Sequence, residues 1–553
     1  MTSKLKMHSP DLTEDNIAKI AALFPNCISE SRDEQGRLKQ VVDFDLLRQE
    51  LSGVIVEGEQ ERYRLDWVGK KEAILAANAP IAKTLRPSRE ESVNFDTTEN
   101  LFIEGDNLDA LKLLQENYLG KVKMIYIDPP YNTGKDFIYN DDFAESSDEF
   151  FARSQQFDEE GNHLIANTES NGRFHSDWLS MMYSRLKLAR NLLMDDGVIF
   201  ISCDDNEQAN LKRLCDEVYG KSNFLGTIIW KKKTNGNNMG YIPPVHDYIL
   251  CFSKLASEKS LLGFKLSEEY IKKNYSNPDN DPRGDWTTSD LSANHVGPYF
   301  EITNPVTGET FLPPNGRYWV FNEEEVIRRI ADGTIIFGKL GNSRPVQKKF
   351  LKDRPNLRQK ADSLWDKHGM NEDGGLELNN LIGTKIFSHP KPTLTIKKLC
   401  EISTKDNDLI LDFFAGSSTT ADAVMQLNAE DGGNRRFIMV QLPEATDEKS
   451  EAFKSGYPTI AEISKERIRR AAAKIHADFA DKLPEDWDGG FRVLKVDSTN
   501  MKEVYYRPDE VSQSDLLDMV SHIKEDRSGE DLLDLLRKYS SHRINQSCNQ
   551  IYP

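Results

Sequence analysis

Hydrophobic residues between about residue 100 and residue 475 occur in short continuous runs that end at polar or Gly/Pro turns, with amphipathic stretches between them. The amphipathic stretches predict helices, for example at Trp178–Leu193 and Asn206–Tyr219. Continuous apolar strands that alternate with helices indicate an α/β fold with a doubly wound, mostly parallel sheet. The predicted strands are Val122–Ile127, Gly197–Ser202, Thr227–Trp230, Tyr248–Phe252, Asp408–Asp412 and Phe437–Gln441.

Changes in this pattern divide the chain into regions. A stretch rich in Gly, Pro, Asn and aromatic residues interrupts the strand–helix alternation and predicts an inserted domain. Both terminal regions are polar and charged, and they are predicted to be helical. The predicted regions are 1–95 (N-terminal, helical), 96–254 (first part of the α/β domain), 255–384 (insert), 385–475 (second part of the α/β domain) and 476–553 (C-terminal).

Composition narrows the class of protein. Hydrophobic residues make up 38% of the chain and charged residues 29%, which is typical of a globular protein without a membrane segment. The N-terminus lacks the apolar core of a secretion signal. The six cysteines are scattered without a C-x-x-C pair, so neither a metal site nor a disulfide framework is indicated. A cytoplasmic protein without a bound metal is therefore expected.

The net charge of −19 argues against a protein that coats nucleic acid along its whole surface. Two places are locally basic, namely Lys231–Lys233 and the run from Arg344 to Lys360. Taken alone, such a run is more often a solvated surface than a binding site. A phosphate-binding surface nevertheless needs only a local excess of positive charge.

The first loop with candidate chemistry is Asp128-Pro129-Pro130-Tyr131, directly after a predicted buried strand. An exocyclic amino group of adenine is a poor nucleophile because its lone pair is delocalised into the ring. Two acceptors, the Asp128 carboxylate and the Pro129 carbonyl, could draw that nitrogen towards tetrahedral geometry. Tyr131 would stack on a base flipped out of the duplex. Without its context the tetrapeptide is equally well a rigid turn.

The second loop is Leu411–Thr420, where a strand leads through small residues into a helix predicted to begin near Ala421. Such a turn lets the backbone approach a ligand closely, and Ser418 or Thr419 could cap the helix. A second glycine is missing at Ser418, where nucleotide-binding loops often have one. A plain strand–turn–helix explains the loop as well, and the absence of a phosphate-binding G-x-x-x-x-G-K-[ST] motif argues against ATP hydrolysis.

Together these loops resemble the β class of DNA amino-methyltransferases, in which the catalytic loop precedes the cofactor loop. More narrowly, the chain is similar to the modification (Mod) subunits of type III restriction-modification systems. The first resemblance extends to Phe102–Leu108 (FIEGDNL), Ile201–Glu207 (ISCDDNE), Val245–Leu250 (VHDYIL) and His389–Pro392 (HPKP). The resemblance to Mod subunits rests on Asp128–Phe137 (DPPYNTGKDF), Phe437–Glu444 (FIMVQLPE), Ile463–Ala471 (ISKERIRRA) and Gly490–Asn500 (GFRVLKVDSTN).

The resemblance implies a Rossmann-like methyltransferase fold that uses S-adenosylmethionine and methylates adenine N6 in double-stranded DNA. It also implies that the insert is a target-recognition domain, that the chain forms a homodimer, and that a separate Res subunit with helicase and nuclease activity is its partner in a bacterial cytoplasm. The implied catalytic residues are Asp128, Pro129, Pro130 and Tyr131. The implied cofactor residues are Asp106, Asn107, Asp128, Lys391, Pro392, Asp412, Phe414, Gly416, Ser417, Thr419 and Gln441. With this resemblance the basic runs are interpreted as DNA contacts, at Lys231, Lys232, Arg344, Lys348, Lys349, Lys352 and Arg354.

The chain departs from the family pattern at two places. Gln441 stands where many relatives carry an acid for the ribose hydroxyls, so Glu444 could take that role. From about Leu533 to Pro553 the chain turns polar where relatives usually continue, which predicts a shortened variant.

Several other functions stay open at the level of sequence. They are a solitary adenine methyltransferase without a nuclease partner, cytosine-N4 methylation, a DNA-binding module with a vestigial pocket, and methylation of RNA. The intact Asp128–Tyr131 segment argues against the vestigial module. Cytosine-N4 enzymes of this class more often begin the motif with Ser than with Asp.

Overall fold

The computed structural model describes residues 65–134, 173–234, 241–338, 343–354 and 356–501, together with short segments between residues 13 and 47 and at 137–139, 164–166, 523–528 and 531. The predicted shortening at residues 533–553 lies outside the described residues. In the part of the chain that is described, no helix has the length and apolar character needed to cross a membrane.

The strands are β1 (Ile28–Arg32), β2 (Leu38–Val42), β3 (Lys83–Val93), β4 (Leu101–Glu104), β5 (Val122–Ile127), β6 (Phe137–Tyr139), β7 (Leu164–Ala166), β8 (Leu193–Cys203), β9 (Phe224–Lys231), β10 (His246–Ser253), β11 (Phe264–Lys265), β12 (Trp286–Asp290), β13 (Ser292–Ala293), β14 (Ile302–Thr303), β15 (Thr310–Phe311), β16 (Tyr318–Trp319), β17 (Ile335–Ile336), β18 (Val346–Phe350), β19 (Arg358–Gln359), β20 (Leu364–Trp365), β21 (Leu409–Asp412), β22 (Arg436–Gln441) and β23 (Phe491–Ser498). The α-helices are α1 (Lys70–Asn78), α2 (Asn107–Tyr118), α3 (Phe174–Leu192), α4 (Gln208–Cys215), α5 (Glu268–Asn274), α6 (Glu323–Ala331), α7 (Asn371–Ile382), α8 (Thr393–Ser403), α9 (Thr419–Asp431), α10 (Glu451–Lys454) and α11 (Ile460–Phe479).

A ten-stranded sheet organises the larger part of the chain, in the order β20-β9-β10-β8-β5-β21-β22-β4-β23-β3. The six central strands, from β8 to β23 in this order, run parallel to one another. Antiparallel pairing is confined to the flanks, where β10 pairs with β8 and β9, and β3 pairs with β23. This arrangement confirms the predicted α/β fold with a mostly parallel sheet.

All of the predicted strands are present, and the central ones are buried. Every residue of β5 and β21 is buried, because helices cover both faces of a parallel sheet. The predicted helices are present too, as α3 and as α4, which continues through one π-helical turn at Asp216–Gly220. The apolar runs therefore predicted the middle of the sheet well.

The terminal regions were predicted to be helical, and their described residues include the helix α1 but also strands. β1 and β2 form an antiparallel pair, and β3 is an edge strand of the main sheet. Since an edge strand tolerates proline and needs few apolar residues, the polar sequence of β3, with Pro87, hid its conformation. In the C-terminal region β23 lies between β4 and β3, with Phe491, Val493 and Leu494 buried.

The chain divides into two compact units, and the smaller one is Gly263–Ala361. This smaller unit contains short antiparallel pairs, a three-stranded sheet of β12, β18 and β17, and the helices α5 and α6. The insert was predicted to span 255–384, but residues 362–384 belong to the larger unit because β20 joins its sheet beside β9. The small unit has its own core, formed by Leu291, Ile302, Trp319, Val326, Ile335 and Phe337.

Candidate active site

The two loops singled out in the sequence meet at the carboxyl edge of the sheet. β5 and β21 are parallel neighbours, so Asp128 after β5 and Asp412 at the end of β21 lie at the same edge. Both aspartates line a cavity of about 810 Å³. The other residues predicted for the site that line it are Pro129, Pro130, Tyr131, Lys391, Phe414, Gly416, Ser417, Thr419, Gln441 and Lys232.

Both carboxylate oxygens of Asp128 have a hydrogen-bond donor. The Tyr131 hydroxyl donates to Oδ1 at 2.8 Å, and the Lys391 ammonium donates to Oδ2 at 2.5 Å. The ammonium also lies 5.2 Å from the centre of the Tyr131 ring and 5.9 Å from that of Trp230. The ion pair fixes the orientation of the carboxylate. The Tyr131 hydroxyl is the neutral donor at Oδ1, and the amino group of a substrate could replace it there.

The turn after Asp128 is held by its surroundings. The Trp178 indole N–H donates to the Pro130 carbonyl at 2.8 Å. Asn132 has a φ of 58°, and its amide donates to the fully buried Glu207 carboxylate at 2.6 Å. Within the described residues no donor reaches the carbonyl of Pro129. As far as the described residues go, that carbonyl is an acceptor without a donor, and Pro129 lines the cavity beside Asp128.

The Asp412 carboxylate accepts two hydrogen bonds from the loop and helix that follow it. Its Oδ1 accepts from the Phe414 amide at 3.1 Å and its Oδ2 from the Thr420 hydroxyl at 2.6 Å. Burial raises the pKa of Asp412 to about 7, against the lowering effect of these two bonds, and the charge of Asp128 adds to the rise. The carboxyl thus joins the strand end to the first turn of α9.

Ser418 occupies the loop position where a second glycine was missing. Its φ is 58°, in the left-handed region that glycine adopts without strain. The predicted cap was wrong, because α9 already begins at Thr419 and Ser418, its N-cap residue, makes no side-chain cap bond. The buried Ser418 hydroxyl has no hydrogen-bond partner among the described residues.

Replacement of Ser418 by glycine should stabilise the protein by about 1 kcal/mol, because it relieves a left-handed backbone and removes an unpaired buried hydroxyl. The midpoint of urea denaturation measures the effect. Ser450 is the matched control: it caps α10 at an ordinary φ of −68°, so Ser450→Gly should be neutral or slightly destabilising. A loss of stability in the Ser418 variant would contradict this interpretation of the loop.

Two residues near the end of β22, Gln441 within the strand and Glu444 after it, stand where the chain departs from the family pattern. Gln441 accepts from the Gly416 amide at 2.7 Å through Oε1, so its side chain holds the small-residue loop. Glu444 lines the same cavity, and burial raises its pKa. Gln441 and Glu444 thus both line the cavity, and Gln441 also supports the loop; whether Glu444 takes the role of the missing acid stays a prediction.

Three residues predicted to contact the cofactor do not line the cavity. Asp106 caps α2, accepting from the Leu108 amide at 2.8 Å. Asn107 is buried, accepts from Arg185 and donates to the Phe413 carbonyl at 2.9 Å, so it supports the loop after β21 from behind. Pro392 is the N-cap residue of α8. Contact of these three residues with the cofactor stays a prediction.

Gly374 was not predicted, although it places the His389–Pro392 segment. A Cβ atom at Gly374 would lie 2.3 Å from the Pro390 carbonyl oxygen and 2.8 Å from the Lys391 carbonyl carbon. Only glycine therefore allows α7 to pack directly on the backbone that carries Lys391. The sequence shows only two adjacent glycines there, which do not by themselves indicate a close approach.

Gly374→Ala should destabilise the protein by about 2 kcal/mol, because the new methyl group must push α7 away from backbone atoms. The neighbouring Gly375 is the control, since a Cβ atom there would meet nothing within 4 Å. Gly375→Ala should stabilise by up to about 1 kcal/mol through helix propensity. Urea denaturation of both variants checks the prediction, and equal effects at the two positions would refute it.

The predicted DNA-binding residues differ in accessibility. Lys348 does not fit its predicted role, because its ammonium is buried, bonds to Asp279 and lies 2.8 Å from Asp281. Arg354 is partly buried and donates to the Tyr275 hydroxyl at 2.9 Å. Lys231 is partly exposed, and Lys232, at the cavity, is paired with Asp247 at 2.6 Å. The exposed members of the set are Arg344, Lys349 and Lys352.

Comparison with known proteins identifies the family. The DNA methylase family model matches residues 122–473. The StyLTI Mod subunit, part of a type III restriction-modification enzyme of Salmonella typhimurium strain LT2, is 39% identical over 462 residues, which cover 81% of this chain and 69% of that protein. The EcoPI Mod subunit of Escherichia phage P1 is 34% identical over 86% of this chain and 77% of its own length. The EcoP15I Mod subunit of Escherichia coli is also 34% identical, over 87% of this chain and 77% of its own length.

Similarity to solved structures is weaker. The PvuII cytosine-N4-specific DNA methyltransferase aligns with 70% of this chain and 94% of its own, at 14% identity and a TM-score of 0.31. The family assignment therefore rests on the sequence comparisons. By these comparisons the chain belongs to the DNA methylase family, among the Mod subunits of type III restriction-modification enzymes, and is an S-adenosylmethionine-dependent DNA methyltransferase.

Proposed function

We propose that this chain methylates adenine N6 at a specific sequence of double-stranded DNA, as the modification subunit of a type III restriction-modification system. The observation that carries the proposal is the pair of acceptors at the cavity: the Asp128 carboxylate, held by Lys391, and the carbonyl of Pro129, to which no described residue donates. Two acceptors at fixed positions match the two N–H bonds of an exocyclic amino group.

The roles of the residues around the base follow from this arrangement. The amino group of a flipped adenine donates to Asp128 Oδ1 and to the Pro129 carbonyl, and the Tyr131 hydroxyl gives up its bond to Oδ1. The Tyr131 ring then lies free to stack on the base. Lys391 keeps its bond to Oδ2, so the carboxylate does not rotate when its partner changes.

The cavity fits S-adenosylmethionine in size and in chemistry. Its volume of about 810 Å³ lies in the range of sites for ligands of this size. Carboxyl groups of Asp128, Asp412 and Glu444 and ammonium groups of Lys232, Lys233 and Lys391 line it, and together they suit a ligand that carries charges of both signs. Ser417 and Thr419 offer hydroxyls, and Gly416 brings the backbone close. When bound, the sulfonium supplies an activated methyl group.

The insert is proposed as the target-recognition domain, and the exposed Arg344, Lys349 and Lys352 as contacts to DNA phosphates. Lys231 and Lys232 would contact DNA near the cavity. Because the relatives that match most of the chain are Mod subunits of type III enzymes, we also propose a homodimer with a Res partner in a bacterial cytoplasm.

The test is methyl transfer from labelled S-adenosylmethionine to unmethylated bacterial DNA, followed by mass spectrometry of the nucleosides. N6-methyladenine is the expected product. N4-methylcytosine as the methylated nucleoside would refute the proposal. Adding a co-expressed Res subunit separates the type III assignment from a solitary enzyme, since only a type III pair should cleave unmodified DNA.

A further inference from the structure

Arg467, on α11, is a fully buried arginine whose guanidinium contacts three segments around the cavity. It donates to the Asp422 carboxylate of α9 at 3.1 Å. It also donates to the hydroxyl of Ser417 in the loop after β21, at 3.1 Å, and to that of Thr419, the first residue of α9, at 2.7 Å. A further bond reaches the Thr393 hydroxyl at 3.2 Å.

These partners connect the cofactor loop to the segment that carries Lys391. Ser417 and Thr419 line the cavity, and Thr393 comes two residues after Lys391. Thr393 is itself anchored, because its amide and hydroxyl both donate to Glu377 of α7, at 2.8 Å and 2.6 Å. One side chain outside the cavity thus sets the relative positions of two of its walls.

The geometry of a guanidinium is necessary for this role. Arginine presents its donors in a planar fork, whereas a lysine ammonium is a single point charge that cannot reach all four partners. The charge of Arg467 is balanced by Asp422, which is also buried. Loss of the arginine would therefore leave an uncompensated buried carboxylate, an effect on stability that must be separated from any effect on the site.

We infer that Arg467 is a positioning residue for S-adenosylmethionine: it holds the hydroxyls of Ser417 and Thr419 in place against the cavity. The inference rests on the proposed function in that the cavity binds the cofactor. Arg467 then controls cofactor affinity and leaves the acceptors Asp128 and Pro129 in place.

The experiment compares Arg467→Met with the double variant Arg467→Met/Asp422→Asn, which removes the unpaired charge but restores no bond to the loop. Lys474→Met, a loss of an exposed charge on the same helix, is the control. Calorimetry gives the Kd for S-adenosylmethionine without DNA, urea denaturation gives stability, and steady-state kinetics give KM for each substrate.

The single variant should lose both stability and cofactor affinity, with the Kd raised about tenfold or more. The double variant should recover most of the stability while its Kd and its KM for S-adenosylmethionine stay raised. Its kcat at saturating cofactor and its KM for DNA should change by no more than about threefold.

Recovery of both stability and Kd in the double variant would overturn the inference, because Arg467 would then be only the counter-ion of Asp422. Wild-type protein with no measurable affinity for S-adenosylmethionine would instead overturn the assignment of the cavity, and the inference with it. The two failures are therefore distinguishable.

Discussion

Methyl transfer should fall by about 10³-fold when Asp128 is replaced by alanine, because the variant loses the charged acceptor of the amino group. Folding should persist, since Tyr131 and Lys391, the two donors to the carboxylate, are only partly buried. A weakened but measurable affinity for the cofactor should remain, because Asp128 is one of several carboxyl groups at the cavity. Initial rates with labelled cofactor measure the loss, and calorimetry measures the retained Kd.

Asp205→Asn is the control for this prediction. Asp205 follows the neighbouring strand β8, is exposed, and does not line the cavity. Its substitution should leave the rate of methyl transfer close to that of the wild type. An Asp128→Ala variant with a near-normal rate would contradict the assigned chemistry.

Lys391→Met should lower kcat by about 10²-fold, because the carboxylate of Asp128 loses the ammonium that fixes its orientation. The affinity for DNA should change much less, since Tyr131 and the backbone acceptors stay in place. Single-turnover rates at saturating DNA and cofactor separate the chemical step from binding.

Lys397→Met is the matched control for Lys391. Lys397 is another ion-paired lysine, 2.6 Å from Glu430, and it lies outside the cavity on α8. It should keep the wild-type rate. If both lysine variants had the same kcat, the Lys391–Asp128 ion pair would have no part in the reaction.

The sequence predicted the middle of the sheet and the catalytic edge because one physical rule governs both. A parallel strand buried on both faces must be continuously apolar, and β5 and β21 show that pattern. The carboxyl ends of neighbouring parallel strands must then lie side by side, which brings Asp128 and Asp412 to one cavity.

The sequence could not predict features that depend on distant partners. Lys391 and Asp128 are 263 residues apart, and nothing local to either reveals the ion pair. Lys348 belongs to a basic run that indicated an exposed surface, yet its ammonium is buried and paired with two aspartates. Only the packed structure shows which member of a charged run is inside.

The supporting residues were missed for a related reason. Arg467 belongs to a segment that resembles Mod subunits, but its partners lie in three other segments. Gly374 is recognisable as necessary only in the structure, where the Pro390 carbonyl leaves no room for a Cβ atom. β3 lacked an apolar signal because it lies at the edge of the sheet.

The most direct test of the central claim is a crystal structure with a non-reactive analogue of S-adenosylmethionine and a duplex that carries the mapped methylation site. The account predicts a flipped adenine whose amino nitrogen lies within hydrogen-bonding distance of Asp128 Oδ1 and the Pro129 carbonyl, with Lys391 still on Oδ2. A flipped cytosine in the cavity, or an adenine whose amino group faces away from Asp128, would contradict it.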